Sequence, residues 1–213
     1  MNQQYDLPER TIERLSEYRR TLLQNLSQGV THVYSHVLAS IHGITAVQVR
    51  RDLMLIGFSS NTKKGYDVKE LIDFISKILD SPRAMNVAVV GMGHLGRAIT
   101  NYFKNKRDKL QIIASFDNNP EKVGATIAGV PCCNIEDLES IVTEQKISIL
   151  LLTLPHSGVE KIIDKIKKSS IRGIINFTGK PLTALEGSGI HVEDYDIITV
   201  LEKVAFYSKQ EPK

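Results

Sequence analysis

Val87-Ala88-Val89-Val90-Gly91-Met92-Gly93-His94-Leu95-Gly96 is the stretch that decides the fold of this 213-residue chain. Four apolar residues running straight into glycine read as a short buried strand. The GMGHLG that follows opens a helix. Gly91 permits the tight turn, Gly93 lets the backbone approach a pyrophosphate, and Gly96 lets the helix pack closely on the strand. The helix N-terminus then offers free N–H groups and the positive end of its dipole to phosphates. A GxGxxG by itself is a weak signal; its context makes this one informative. A strand precedes it, a helix follows, and roughly twenty positions on the next apolar run, Leu110 to Phe116, ends at Asp117. An acid there can accept hydrogen bonds from the adenosine ribose and repels a 2′-phosphate. The pattern therefore points to NAD(H) rather than to its phosphorylated relative.

Downstream, Ile147–Leu152 and Ile174-Ile175-Asn176-Phe177 read as further strands. Helical segments fit between them over Ile135–Glu144 and Gly158–Lys167. Strands alternating with helices give a parallel α/β sheet. Ligands of such sheets bind beyond the C-terminal strand ends. Thr153-Leu154-Pro155 and Asn176-Phe177 leave two of those ends and join Gly91 to Gly96 and Asp117 as candidate cofactor residues. The last segment, Asp196 to about Tyr207, is apolar nearly all round. Such a helix should be buried, and at the end of so short a chain burial between two subunits is the expectation.

Upstream the pattern is helical, and the change falls near Ser81-Pro82. Asp6-Leu7-Pro8-Glu9 reads as a helix start, and Ile12, Leu15, Leu22, Leu23 and Leu26 recur at helical spacing. Ser35 fits the cap of a second helix, with Val37, Leu38 and Ile41 inward and Gly43 ending it. Thr45 fits the cap of a third, which runs to Leu55 or Ile56. Tyr66 to Leu79 reads as a fourth. The second and third helices have helix-turn-helix economy. Gln48, Arg50 and Arg51 project from the third; arginine can bond guanine bidentately and glutamine can read adenine. The N-terminus of that helix at Thr45 suits a phosphate. Lys63 and Lys64 lie in the loop that follows, where a wing would meet the DNA backbone.

Composition narrows the function class without choosing it. The chain is 42% hydrophobic and 24% charged, ordinary globular material. Its net charge of +3 is spread over both halves, so a nucleic-acid role must rest on where the cations sit. No signal peptide and no bilayer-spanning stretch is evident, which points to the cytoplasm. The two cysteines, Cys132 and Cys133, are adjacent and lack metal-ligand spacing; they read as reduced packing thiols, with no metal site. A dehydrogenase needs a positioned acid or base. His94 lies in the phosphate turn, and neither His156 nor His191 has an evident nucleophile or orienting carboxylate. The dinucleotide is therefore expected to be sensed rather than consumed, and no catalytic residue is assigned. A small NAD-dependent oxidoreductase, or a nucleotide-binding module without DNA binding, are the alternatives.

Together these residues resemble the Rex family of redox-sensing transcriptional repressors. The resemblance is carried by TAVQVRRDLMLIG (45–57), GYDVKEL (65–71), VAVVGMGHLGRAITNY (87–102), FDNNPEKVGATIAGVP (116–131), LLTLP (151–155) and RGIINF (172–177). It implies a homodimer whose winged helices bind an inverted-repeat operator and whose Rossmann domains sense the NADH/NAD+ ratio, NADH releasing the DNA. The fold class is then α/β, a winged helix-turn-helix (1–81) plus a Rossmann-type parallel sheet (82–195), with a C-terminal helix (196–213) exchanged between subunits. Lys122, within FDNNPEKVG, joins the cofactor residues by the same resemblance. Arg20, Tyr102 and Asp196 fall at the family's switch positions. The chain departs from the family's pattern in four places. Its wing reads Ser59-Ser60-Asn61-Thr62-Lys63-Lys64 rather than glycine- and arginine-rich. Its third helix ends Met54-Leu55-Ile56 in place of Ser-Tyr-Phe. Asn176-Phe177-Thr178-Gly179 replaces an Asn-Phe-Ala-Pro turn, and Val200 replaces a glutamate.

Overall fold

A computed structural model describes residues 6–59, 64–104 and 109–209. The chain divides into two compact units, residues 1–82 and 83–213.

The first unit contains helices α1 (Glu9–Ser27), α2 (Ser35–Ile41), α3 (Ala46–Leu55) and α4 (Val68–Leu79). Pro8 stands at the N-cap of α1, where its missing N–H costs nothing. The Thr45 hydroxyl caps α3 by accepting from the Gln48 N–H, and the Asp67 carboxylate caps α4 by accepting from the Glu70 N–H. Two short strands, β1 (His32–Val33) and β2 (Tyr66–Asp67), pair antiparallel beside the helices. Tyr66 and Asp67 thus belong to a strand and a cap rather than to the fourth helix expected from Tyr66 onward.

Leu15, Tyr18 and Leu22 of α1 meet Leu38, Val49, Leu53, Leu71 and Ile75 in this unit's core. Burying each large apolar side chain contributes about 1.5–3 kcal/mol. Several apolar residues expected inside are exposed instead: Ile12, Leu23, Leu26, Val37 and Ile41. At about 100° per residue, Ile12 and Leu23 lie on the flank of the stripe made by Leu15, Tyr18 and Leu22. Leu26 sits in the last turn of α1. On α2, Leu38 and Ala39 take the inward face, which turns Val37 and Ile41 away from it.

The second unit is a seven-stranded sheet. Its strands are β3 (Met85–Val90), β4 (Leu110–Asp117), β5 (Thr126–Ile127), β6 (Val130–Asn134), β7 (Ile147–Leu152), β8 (Gly173–Asn176) and β9 (His191–Asp194). Their order is β5-β6-β4-β3-β7-β8-β9, and all neighbours are parallel except β5 and β6. Leaving β5 aside, this is the 3-2-1-4-5-6 order of dinucleotide-binding sheets, with the direction of winding changing between β3 and β7. Helices α5 (His94–Phe103), α6 (Leu138–Glu144) and α7 (Glu160–Lys168) connect the strands. Val87 and Val89 of β3 join one core cluster and Ala88 and Val90 another. Both faces of the central strand are therefore buried, as its unbroken apolar run requires.

Helix α8 (Ile197–Ser208) ends the described chain, and none of its residues is buried. Ile197, Ile198, Val200, Leu201, Val204, Phe206 and Tyr207 are 56–68% exposed. Among the described residues, then, the helix expected to be buried is left exposed.

Leu150 sits at full burial in the middle of β7. Leu150→Ala is expected to cost about 2–5 kcal/mol, transfer and cavity terms together. Urea unfolding of the sheet unit should show a lower midpoint with an unchanged slope.

Candidate functional site

The C-terminal ends of β3, β4 and β7 open onto a cleft of ≈ 830 Å³, within the size range of small-molecule and cofactor sites. Gly91, Gly93, Asp117, Lys122, Thr153, Leu154 and Pro155 line it together. The cleft lies where the order of the sheet reverses, the place where open α/β sheets bind ligands.

Steric limits shape its floor. Gly91 has φ +99°, and a Cβ there would lie 2.7 Å from the Leu154 nitrogen. A Cβ on Gly96 would lie 2.2 Å from the Gly91 carbonyl oxygen and 2.9 Å from Thr153 Oγ1. The Thr153 hydroxyl donates to that same carbonyl at 2.6 Å, so the loops after β3 and β7 are tied together. Around Gly93 the opposite holds: among the described residues, no atom beyond its own chain neighbours lies within 4 Å of where its Cβ would be. This open backbone surface at the start of α5 is what an approaching pyrophosphate needs. His94 and Leu95 form the exposed first turn of α5, while Met92 and Gly96 are buried beneath. The donor set and the space therefore fit a dinucleotide.

At the C-terminal end of β4, Asp117 is buried and held from three sides. Its Oδ2 accepts from the Met92 N–H (2.9 Å) and from Lys122 Nζ (2.8 Å), and its Oδ1 accepts from the Asn119 N–H (2.9 Å). Burial pushes this carboxyl up. The Lys122 ammonium and the Asn119 and Met92 N–H groups outweigh burial and hold it below the usual carboxylate range. Asp117 is thus not the bare anion that the motif suggests, since Lys122 neutralises it. Ile135, Glu136, Lys161, Ile162 and Lys165 also line the cleft, and motif reading missed all five. Lys165 Nζ bridges to Glu136 Oε2 at 2.8 Å. The spacing of Lys161, Ile162 and Lys165 on one helix following the Thr153-Leu154-Pro155 turn was the available signal.

Asn176 and Phe177 are not among the residues lining this cleft. The Asn176 amide is spent on the loop that follows it and on the end of β9: Nδ2 donates to the Lys180 carbonyl (2.8 Å) and to Asp194 Oδ1 (2.6 Å), and Oδ1 accepts from the Thr178 N–H and hydroxyl. Phe177 stacks on Tyr195, ring centroids 5.5 Å apart. Asp196 caps α8, accepting from the Ile198 N–H (2.9 Å) and the Thr199 hydroxyl (2.6 Å). Tyr102 is exposed on α5, and Arg20 is exposed on α1 of the other unit.

In the first unit, Arg50 and Arg51 are exposed on α3 and Thr45 is exposed at its N-cap. Arg50 Nη1 donates to Ser35 Oγ at 3.2 Å, tying α3 to the start of α2. Gln48 is half-buried, and its Nε2 donates to Asp52 Oδ1 at 2.9 Å. Lys64 is exposed just before β2, whereas Lys63 lies outside the described residues.

Residues 82–179 match the family model described as "CoA binding domain", and residues 6–53 match "Putative DNA-binding protein N-terminus". Among curated relatives, "Redox-sensing transcriptional repressor Rex" of Lactobacillus acidophilus is 33% identical over 205 residues, covering 96% of each chain. The protein of that name from Leuconostoc citreum is 33% identical over 207 residues, 97% of this chain and 95% of the relative. Among solved structures, RSP, a Rex-family repressor, superposes at a TM-score of 0.82 with 28% identity over 96% of this chain and 95% of that chain. RSP in complex with β-NAD+ and operator DNA gives a TM-score of 0.87 with 28% identity over 96% of this chain and 94% of that chain.

The tether on Asp117 should show in stability. Its folded pKa is depressed, so its contribution is present above the unfolded value of about 3.9 and disappears as pH falls through the lower folded value. Asp117→Asn should therefore be less stable than the parent chain at neutral pH. The difference should close only below about pH 4. Chemical unfolding across pH 2–7 measures it.

Proposed function

The chain belongs to the Rex family of redox-sensing transcriptional repressors, and from that premise we propose that it binds double-stranded operator DNA as a homodimer and leaves it when NADH occupies the cleft. The observation that carries this reading is the pairing, in one chain, of a helix-turn-helix unit with a complete dinucleotide-binding sheet. The protein is a sensor rather than an enzyme: the cleft supplies binding groups for a dinucleotide, and its output is a change in DNA affinity. Gly91 to Gly96, Lys122 and Asp117 would hold the phosphate and adenosine portions. The redox state of the nicotinamide would be read near Thr153, Leu154 and Pro155.

Helix α8 supports the dimer. Seven large apolar side chains exposed on one twelve-residue helix form a patch that soluble monomers rarely leave in water. A second copy covers it in this reading. Asp196 then pairs with the partner subunit's Arg20 in one state and with Tyr102 in the other, and NADH shifts the balance. Among the described residues the Asp196 carboxylate is exposed and held only by its own helix, which leaves lone pairs for a new partner. No described helix is long and apolar enough to cross a membrane, and the cytoplasm is the proposed site of action.

Mobility shift on duplexes from the chain's own promoter region, at stated salt because phosphate contacts dominate affinity, tests the reading. Retention without NADH and release with it are expected; no shift at low salt would sink it. Arg51→Ala should weaken specific binding by about 1–3 kcal/mol. Asp196→Ala should blunt the NADH response, and an unchanged response would remove Asp196 from the switch.

A further inference from the structure

Asp52 lies on the inward face of α3, fully buried, and accepts four hydrogen bonds. Its Oδ2 takes Arg14 Nε (2.7 Å) and the Tyr18 hydroxyl (2.8 Å). Its Oδ1 takes Arg14 Nη2 (2.7 Å) and Gln48 Nε2 (2.9 Å). A carboxylate offers about four acceptor sites, so the set is complete. Arg14 and Tyr18 come from α1, and the bidentate arginine fixes angle as well as distance. Arg14 is itself steadied by Thr11 Oγ1 at 3.3 Å. A buried charge is tolerated only with its partners in place. Helix α3 therefore cannot roll about its axis against α1 without breaking several strong bonds at once.

This bears on which residues read sequence. Bidentate reading of adenine uses both ends of a glutamine amide presented to the groove. Here the Gln48 amide is turned inward by its bond to Asp52. Arg50 is bonded to Ser35. Arg51 is exposed, and no hydrogen bond or ion pair holds it among the described residues.

We propose that Gln48 is a positioning residue rather than a base reader: the Asp52 carboxylate, gripped by Arg14, Tyr18 and Gln48, sets the roll of α3 on α1 and so aims Arg51 at the bases. The proposal rests on the repressor reading and deepens it. Removing a base reader relaxes specificity at one base pair. Removing a positioning residue weakens all specific complexes alike. Because Gln48 and Tyr18 act through one carboxylate, their losses should not be independent.

The test uses the full-length chain, its Tyr18→Phe and Gln48→Ala variants and the double variant. Operator duplexes are first selected from a random library with the parent protein. Each single variant should lose roughly tenfold in operator affinity, evenly across all single-base operator variants. The double variant should lose clearly less than the product of the two, with NADH affinity unchanged throughout. Relaxation at a single base pair in Gln48→Ala, or losses that multiply independently, would overturn the proposal. Failure of the parent chain to select any duplex would instead remove the repressor reading. In that event the roll-setting network is judged by hydrogen exchange of the α3 amides. Faster, non-additive exchange in the two variants supports it, and unchanged or additive exchange overturns it.

Discussion

The cofactor half of this protein depends on a contact with no room in it. Where Gly96 passes the Gly91 carbonyl, even a methyl group would fall at 2.2 Å. That approach sets the height of α5 above β3 and turns its N-terminus toward the cleft. The Thr153 hydroxyl donates to the same carbonyl, so one oxygen fixes the first helix and the loop across the switch point of the sheet together. The turn after β3 and the loop after β7, which line the cleft together, follow from it.

Each unit also uses a carboxylate as an organising centre. Asp117 draws in Met92, Asn119 and Lys122 and thereby joins the glycine turn after β3 to the loop after β4. Asp52 draws in Arg14, Tyr18 and Gln48 and thereby joins α3 to α1. Burial pushes both carboxyls up, and in both the hydrogen bonds outweigh it, so both stay below the usual range. Buried polar groups with every partner in place rigidify and specify geometry more than they add stability. Rigidity is what the proposed DNA-reading helix and a dinucleotide cleft both require.

Much of this was legible in the sequence where a local rule acts alone. Gly91 to Gly96, the cap at Thr45, and the central strands β3, β4, β7 and β8 could be read because buried parallel strands are continuous apolar runs. The strands β6 and β9 were not legible. Pro131 argues against a strand, and His191-Val192-Glu193-Asp194 is a polar edge strand with one apolar residue. The inward face of α2 was misread because Val37 and Ile41 match a helical period as well as Leu38 does, and only the tertiary packing chooses between them. The engagement of Asp52 with Arg14 and Tyr18, and of Asn176 with Asp194, joins positions that no motif spacing announces. Lys161 and Lys165 line the cleft from α7, and their spacing on the helix after the Thr153-Leu154-Pro155 turn was the one signal of it.

If NADH and operator DNA oppose each other through one two-state protein, the coupling is reciprocal: each ligand weakens the other by the same factor. The most direct measurement is a calorimetric titration of NADH into the protein alone and into the protein saturated with operator duplex, at one salt concentration. Weaker NADH binding to the DNA complex is expected, by the same factor by which NADH lowers operator affinity. An NADH affinity that operator DNA leaves unchanged would contradict the central claim.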